Sequence, residues 1–378
     1  MITPSTYKHW TVTRDAKDYC WLILDRKNAT ANTLGHEVLE ELDDILTEIN
    51  VNPPKALAIK SGKKTGFIAG ADISEFLHLE TAEAATAMVR NTQQLFDKLS
   101  ALPFPTVAVI DGFCLGGGLE LSLACKYRVA LDSPKTKIGL PEILLGVQPG
   151  WGGSIRLPKL IGSLKALELI IAGKIVDART AYKLGIVDAA VPERQLLIAI
   201  EYYLSGAAPV KQAGKLERFI QLSFMRALIS KIFKYQVAKK VAARYYPAPF
   251  AVIDAWVNNS IYSPQAMQAE AESIGKLMVT PTARNLVRVF FLRDRLKAFA
   301  KAAKFTPQHV HVVGAGVMGG DIAAWCALSG FTVTVQDQYL PAIAATLKRA
   351  QQLFSKKLKL PYLVQAARDR LMPDIDGL

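Results

Sequence analysis

Through the first 190 residues, apolar runs of five or six residues alternate with stretches of helical period, and that alternation restricts the fold to the α/β class. The runs YCWLIL (19–24), ALAIK (56–60), TVAVI (106–110) and YRVAL (127–131) are too short for helices and read as strands. Between them, HEVLEELDDILTEI (36–49) puts Val38, Leu42, Ile45 and Ile49 on one helical face. Residues 81–100 and 164–171 follow the same period. From about 191 to 304 the strand pattern ceases, and segments such as 214–244 and 282–303 are helical in pattern and rich in Lys and Arg. After Thr306-Pro307 a new α/β unit begins. The expected organisation is an α/β domain (1–190), a helical connector (191–306) and a second α/β unit (307–378).

Composition narrows the function classes. Cys20, Cys114, Cys125 and Cys326 lack CxxC spacing, so they read as buried thiols of a reducing, cytoplasmic setting, with no metal site and no disulfide frame. MITPSTYKHW carries no apolar leader, and the most apolar stretch (105–125) holds Asp111, Glu120 and four glycines, which suits buried core and not a membrane span. The formal net charge of +13 fits a phosphate-bearing ligand, nucleic acid or an anionic membrane surface equally well. Residues 222–244 read either as a basic amphipathic helix touching a membrane peripherally or as a packed helical connector.

Two stretches carry chemistry. GFCLGGGLELSLAC (112–125) places Gly116-Gly117-Gly118 before a helix-like run with one acid, Glu120. LPEILLGVQPGWGG (140–153) places Glu142 in a Pro-Glu turn. Unpaired N–H groups at a helix N-terminus polarise a carbonyl, and glycines let its oxygen approach. IAGAD (68–72) offers a second such loop. Two carboxylates in an apolar pocket can divide base and acid roles if their environments separate their pKa values. This set suits chemistry beside a thioester carbonyl.

On IAGADI (68–73), DGFCLGGGLELSLAC (111–125) and IGLPEILLGVQPGWGG (138–153), residues 1–190 closely resemble the enoyl-CoA hydratase (crotonase) family. The resemblance implies a spiral of repeated ββα units. It implies oxyanion donors at Ala71 and Gly117, water activation by Glu120 and α-carbon protonation by Glu142. It places Ala69, Gly70, Asp72, Gly116 and Trp151 around the substrate, with Asp72 read as a buttress of its loop and Trp151 as pocket wall or core. Hydration itself would need no cofactor.

VHVVGAGVMGGDIA (310–323) has a second signature: a short apolar strand leads into Gly314-x-Gly316-x-x-Gly319, then a helix. Asp337 ends the next strand candidate, FTVTVQD (331–337), where an acid can bind ribose hydroxyls and favours NAD. Residues 307–378 have room for the first half of such a domain only, and no His follows His311 as a base. The expectation is an incomplete Rossmann-type unit with a partial NAD site, no completed hydride transfer, and poor packing of residues 338–378. The order of the three parts resembles the α-subunits of bacterial fatty acid oxidation complexes. That resemblance implies a 3-hydroxyacyl-CoA dehydrogenase unit after the hydratase, a homo-oligomer or complex, and a thiolase β-subunit as partner. The leading reading is an enoyl-CoA hydratase of fatty acid β-oxidation, with Δ3-Δ2-enoyl-CoA isomerase activity at the same acids. The alternatives are a non-catalytic or acyl-CoA-binding remnant, and an RNA-binding protein on the same fold.

Overall fold

The computed structural model describes residues 7–302, 305, 307–358 and 360–375. Thr306, one mark of the expected boundary, lies outside them. The chain divides into two compact units, Met1–Leu292 and Arg293–Leu378.

In the first unit the strands are β1 (Trp10–Arg14), β2 (Tyr19–Leu24), β3 (Ala56–Ser61), β4 (Gly66–Ile68), β5 (Thr106–Ile110), β6 (Phe113–Leu115), β7 (Tyr127–Leu131), β8 (Lys137–Gly139), β9 (Ile175–Val176) and β10 (Ala189–Val191). They form two sheets, ordered β1-β2-β3-β5-β7-β10 and β4-β6-β8-β9. Each of β3, β5 and β7 crosses the large sheet, and the strand that follows it lies in the small one. The repeating unit is therefore ββα. The large sheet is parallel except where β1 meets β2.

The side-chain period of two explains why TVAVI is buried along its whole length. Ala108 and Ile110 join the main core, while Val107 and Val109 pack on the other face with Ile200 and Leu204. The helices are α1 (His36–Val51), α2 (Ala82–Ser100), α3 (Gly117–Ala124), α4 (Gly153–Ile161), α5 (Ser163–Ile171), α6 (Ala178–Leu184), α7 (Glu193–Leu204), α8 (Leu216–Ile220), α9 (Ser223–Ala238), α10 (Ala248–Asn258) and α11 (Ala266–Met278), and α12 (Pro281–Ala302) spans the division at Leu292. On α1 the predicted stripe Val38, Leu42, Ile45 and Ile49 is buried. Thr81 caps α2 by accepting the Ala84 N–H. The single helix pattern over 214–244 resolves into α8 and α9.

The second unit holds β11 (His309–Val313), α13 (Val317–Leu328), β12 (Thr332–Gln336), α14 (Leu340–Lys357), α15 (Pro361–Asp369) and β13 (Leu371–Asp374). Its sheet is parallel, ordered β11-β12-β13. Here the expectation of poor packing over 338–378 fails. α14 buries Ile343, Thr346, Ala350 and Phe354, and β13 supplies a third strand beside β12. The sequence hid that strand because LMPD is four residues long and contains Pro373. Lys359 and residues 376–378 of that stretch lie outside the described residues. Among the described residues no helix is long and apolar enough to cross a membrane.

Candidate active site

The glycine triplet makes a close junction. Gly116 sits at φ +51°, which favours glycine, and leads β6 into α3. A Cβ on Gly117 would lie 2.3 Å from the Trp151 ring, and one on Gly118 2.6 Å from the Ile68 carbonyl oxygen. α3 has no side-chain cap, so the Gly117 N–H lacks an intrahelical acceptor by position. The neighbouring loop brings Ala71. Leu34 donates to the Gly70 carbonyl and accepts from Asp72, so the Ala71 N–H between them faces the other way. Gly70 and Gly116 abut, since a Cβ on Gly116 would lie 3.8 Å from the Gly70 Cα. Ala71 and Trp151 both line a cavity of about 660 Å³, whose apolar wall includes Leu34, Leu39, Phe76, Met88 and Leu95.

The two acids have contrasting surroundings. Glu120 is 3% exposed, and its Oε1 accepts the N–H groups of Trp151 (2.7 Å) and Gly153 (2.8 Å). Burial above all, then the charges of Glu142 and Glu270, push its carboxyl well above the usual range, while the two N–H groups oppose that shift. Glu142 opens a 3₁₀ turn, Glu142–Leu145. Both its carboxylate oxygens are out of solvent and neither has a hydrogen-bond partner among the described residues. Burial raises its carboxyl to about 8. It hangs over the glycine junction, because a Cβ on Gly116 would lie 3.1 Å from its Oε1.

Other sequence-predicted residues take definite places. Asp72 caps the 3₁₀ turn Ile73–His78 by accepting from Ser74, and its second oxygen pairs with Arg26. Its carboxylate is thereby shared between its own loop and Arg26. Ala69 is exposed and donates to the Asn32 carbonyl. Trp151 is 6% exposed, meets Phe96 edge-on at 5.9 Å and also faces the cavity, so it is both core and wall.

Sequence reasoning missed Glu270. It lies on α11, is 1% exposed, and accepts from Gly152 N, Ser154 N, Ser154 Oγ and Gln93 Nε2. The signal was an acid set among the apolar positions Ala266, Ile274 and Leu277 of one helical face.

In the second unit, Gly314 has φ +100° and a Cβ on Gly319 would lie 2.0 Å from the Gly314 carbonyl oxygen. Glycine is thus required where the loop presses on α13. Asp337 accepts from Ala315 N and Tyr339 N, which hold its carboxyl below the usual range. The loop faces open space at Gly314 and Gly316. Among the described residues no cluster of His, Cys, Asp and Glu could hold a metal ion.

Residues 20–226 match the model of the enoyl-CoA hydratase/isomerase family. The chain belongs to that family. Residues 309–377 match the NAD-binding domain of 3-hydroxyacyl-CoA dehydrogenase. The fatty acid oxidation complex subunit alpha of Shewanella loihica is 37% identical over 97% of this chain and 53% of its own length. That of Aliivibrio fischeri is 40% identical over 82% of this chain and 46% of its own. The chain thus spans about half the length of the curated relatives it matches. An enoyl-CoA hydratase/isomerase from Xanthobacter autotrophicus Py2 shares the fold, with TM-score 0.56 at 21% identity over 80% of this chain and 100% of that one. So does a putative enoyl-CoA hydratase from Streptomyces avermitilis, with TM-score 0.55 at 22% identity over 77% of this chain and 92% of that one.

Proposed function

We propose that the first unit hydrates trans-2-enoyl-CoA to 3-hydroxyacyl-CoA. The observation that carries this reading is the contrast between two adjacent buried acids. Glu142 has no hydrogen-bond partner among the described residues and a carboxyl raised to about 8, so near pH 7 it is a proton donor. Burial and the neighbouring acids raise the Glu120 carboxyl too, but it accepts two backbone N–H groups that oppose this and stabilise a carboxylate, which suits it to the base role. The acyl chain occupies the apolar cavity, and the Ala71 and Gly117 N–H groups bind the thioester oxygen.

Glu120 takes a proton from water as the oxygen bonds to the β-carbon. The carbon–carbon π pair moves toward the α-carbon, which takes the proton from Glu142. Negative charge on the thioester oxygen is held by the two N–H groups meanwhile. Transfer of the proton from Glu120 to Glu142 restores the pair.

The second unit fits an NAD-binding role. Gly314, Gly316 and Gly319 would receive the pyrophosphate and Asp337 the ribose hydroxyls. NAD when bound supplies a hydride acceptor. The relatives' names extend by proposal to this chain: a place in fatty acid oxidation and assembly into a complex.

The test is loss of enoyl-thioester absorbance with a four-carbon trans-2-enoyl-CoA. Glu120→Gln and Glu142→Gln should each cut kcat by about 10²- to 10⁴-fold. Parental rates in either variant would remove the two-carboxylate mechanism.

A further inference from the structure

The turn at residues 150–154 distributes its N–H groups between two buried acids. Those of Trp151 and Gly153 point to Glu120, and those of Gly152 and Ser154 point to Glu270 at 2.6 and 3.0 Å. The alternation follows from the turn itself. Gly152 has φ +96°, and a Cβ on Gly153 would lie 2.7 Å from Oε1 of Glu120. Gln93 on α2 ties the two parts together, since its Nε2 donates to the Gly150 carbonyl (2.7 Å) and to Glu270 (3.1 Å). Every partner of Glu270 recorded here is a donor, so its ionised form satisfies all of them.

Resting on the hydratase reading, we propose that Glu270 is a positioning residue for Glu120: it anchors alternate N–H groups of the turn so that the other two hold the catalytic carboxylate in place. Glu270 does not touch substrate in this role. It arrives on α11, well after the two sequence motifs, so the site is built from the α/β layers and from the helical segment together.

The charged groups that face Glu270 are few. Glu120 from α3 and Glu142 from the 3₁₀ turn lie on the catalytic side, and Arg156 from α4 acts on it as a cation. Arg156 also donates to the Trp151 carbonyl and pairs with Asp97 of α2. Arg90 of α2 holds the far oxygen of Gln93. α10 presents Val252 and Trp256 to it. Removing the Glu270 charge therefore relieves repulsion on both catalytic acids, and each then ionises at lower pH.

The experiment compares the full chain with Glu270→Gln in hydration of a four-carbon trans-2-enoyl-CoA across pH. Expected are a kcat lowered on the order of 10²-fold by misplacement of the base, and a KM within about threefold. The whole kcat–pH profile should also move to lower pH. A folded Glu270→Gln with parental kcat and an unmoved profile would overturn the assignment. Should that variant lose its cooperative melt, Ser154→Ala carries the test. Loss of one donor to Glu270 should lower kcat on the order of 10-fold, and a parental kcat would overturn the proposal. Glu120→Gln in the same assay separates the two readings. An inactive parent, or activity that survives Glu120→Gln, overturns the hydratase reading and the Glu270 role with it. An active parent that needs Glu120 but is indifferent to Glu270 overturns the Glu270 role alone.

Discussion

Glu142 keeps its proton to about pH 8 in the fold, whereas the same carboxyl in an unfolded chain ionises near 4.5. Below 4.5 both states hold the proton and nothing is lost. As pH rises from there to about 8, only the unfolded state ionises, so the fold progressively loses stability. The full penalty is on the order of a few kcal/mol. Glu142→Gln is neutral at every pH and escapes it. We therefore predict that this variant's melting temperature gains on the parent's between pH 5 and pH 9, while its activity falls. An equal offset at both pH values would show that Glu142 is not held protonated. Glu120 and Glu270 are raised in the same direction in both proteins, and loss of the Glu142 charge also relieves Glu120, which adds to the variant's gain. At this scale the sequence was informative where motif residues are neighbours in the chain. Glu120 and Glu142 stand out in the sequence because each sits beside glycines or prolines. Glu270 does not, because its partners are more than a hundred positions away and no local pattern links them.

Among elements, the docking of α11 on α2 decides whether Glu270 reaches the turn. The contact is close at Gly275, where a Cβ would lie 2.2 Å from Thr86 Oγ1 and 2.6 Å from the Ala82 carbonyl oxygen. Gly275→Val forces the helices apart and should destabilise the unit by about 1–3 kcal/mol. It should also reduce hydration more than thermal stability, read as kcat well below the melting temperature, because Glu270 lies just over one turn away on the same helix. If stability falls but kcat at low temperature does not, the helix places Glu270 less strictly than the geometry implies. The long elements were legible from sequence for a physical reason. β2, β3, β5, β7, α1 and α2 are long enough to show their period. β4, β6, β8 and β9 have two or three residues each, too few to alternate visibly, yet they form the small sheet that carries the glycine loops.

At the scale of the whole chain, each unit has a core of its own. Residues such as Ala323, Val335, Ile343 and Phe354 pack together in the second unit, and the first unit's clusters draw only on residues before 293. Glu120, Glu142, Glu270, Ala71 and Gly117 all fall in Met1–Leu292, whereas Gly314, Gly316, Gly319 and Asp337 all fall in Arg293–Leu378. Ligands should therefore stabilise the units separately. Calorimetry of the full chain should show two transitions, with a saturated acyl-CoA raising one and NAD raising the other. Each ligand at about 100 times its Kd adds roughly 3 kcal/mol to the unit that binds it. Asp337→Ala should abolish the NAD response and leave the acyl-CoA response intact, since Asp337 holds the glycine loop of its own unit through Ala315. A single transition raised by both ligands would mean that the two cores unfold as one. The division of chemistry between the units would then need another physical basis than separate packing.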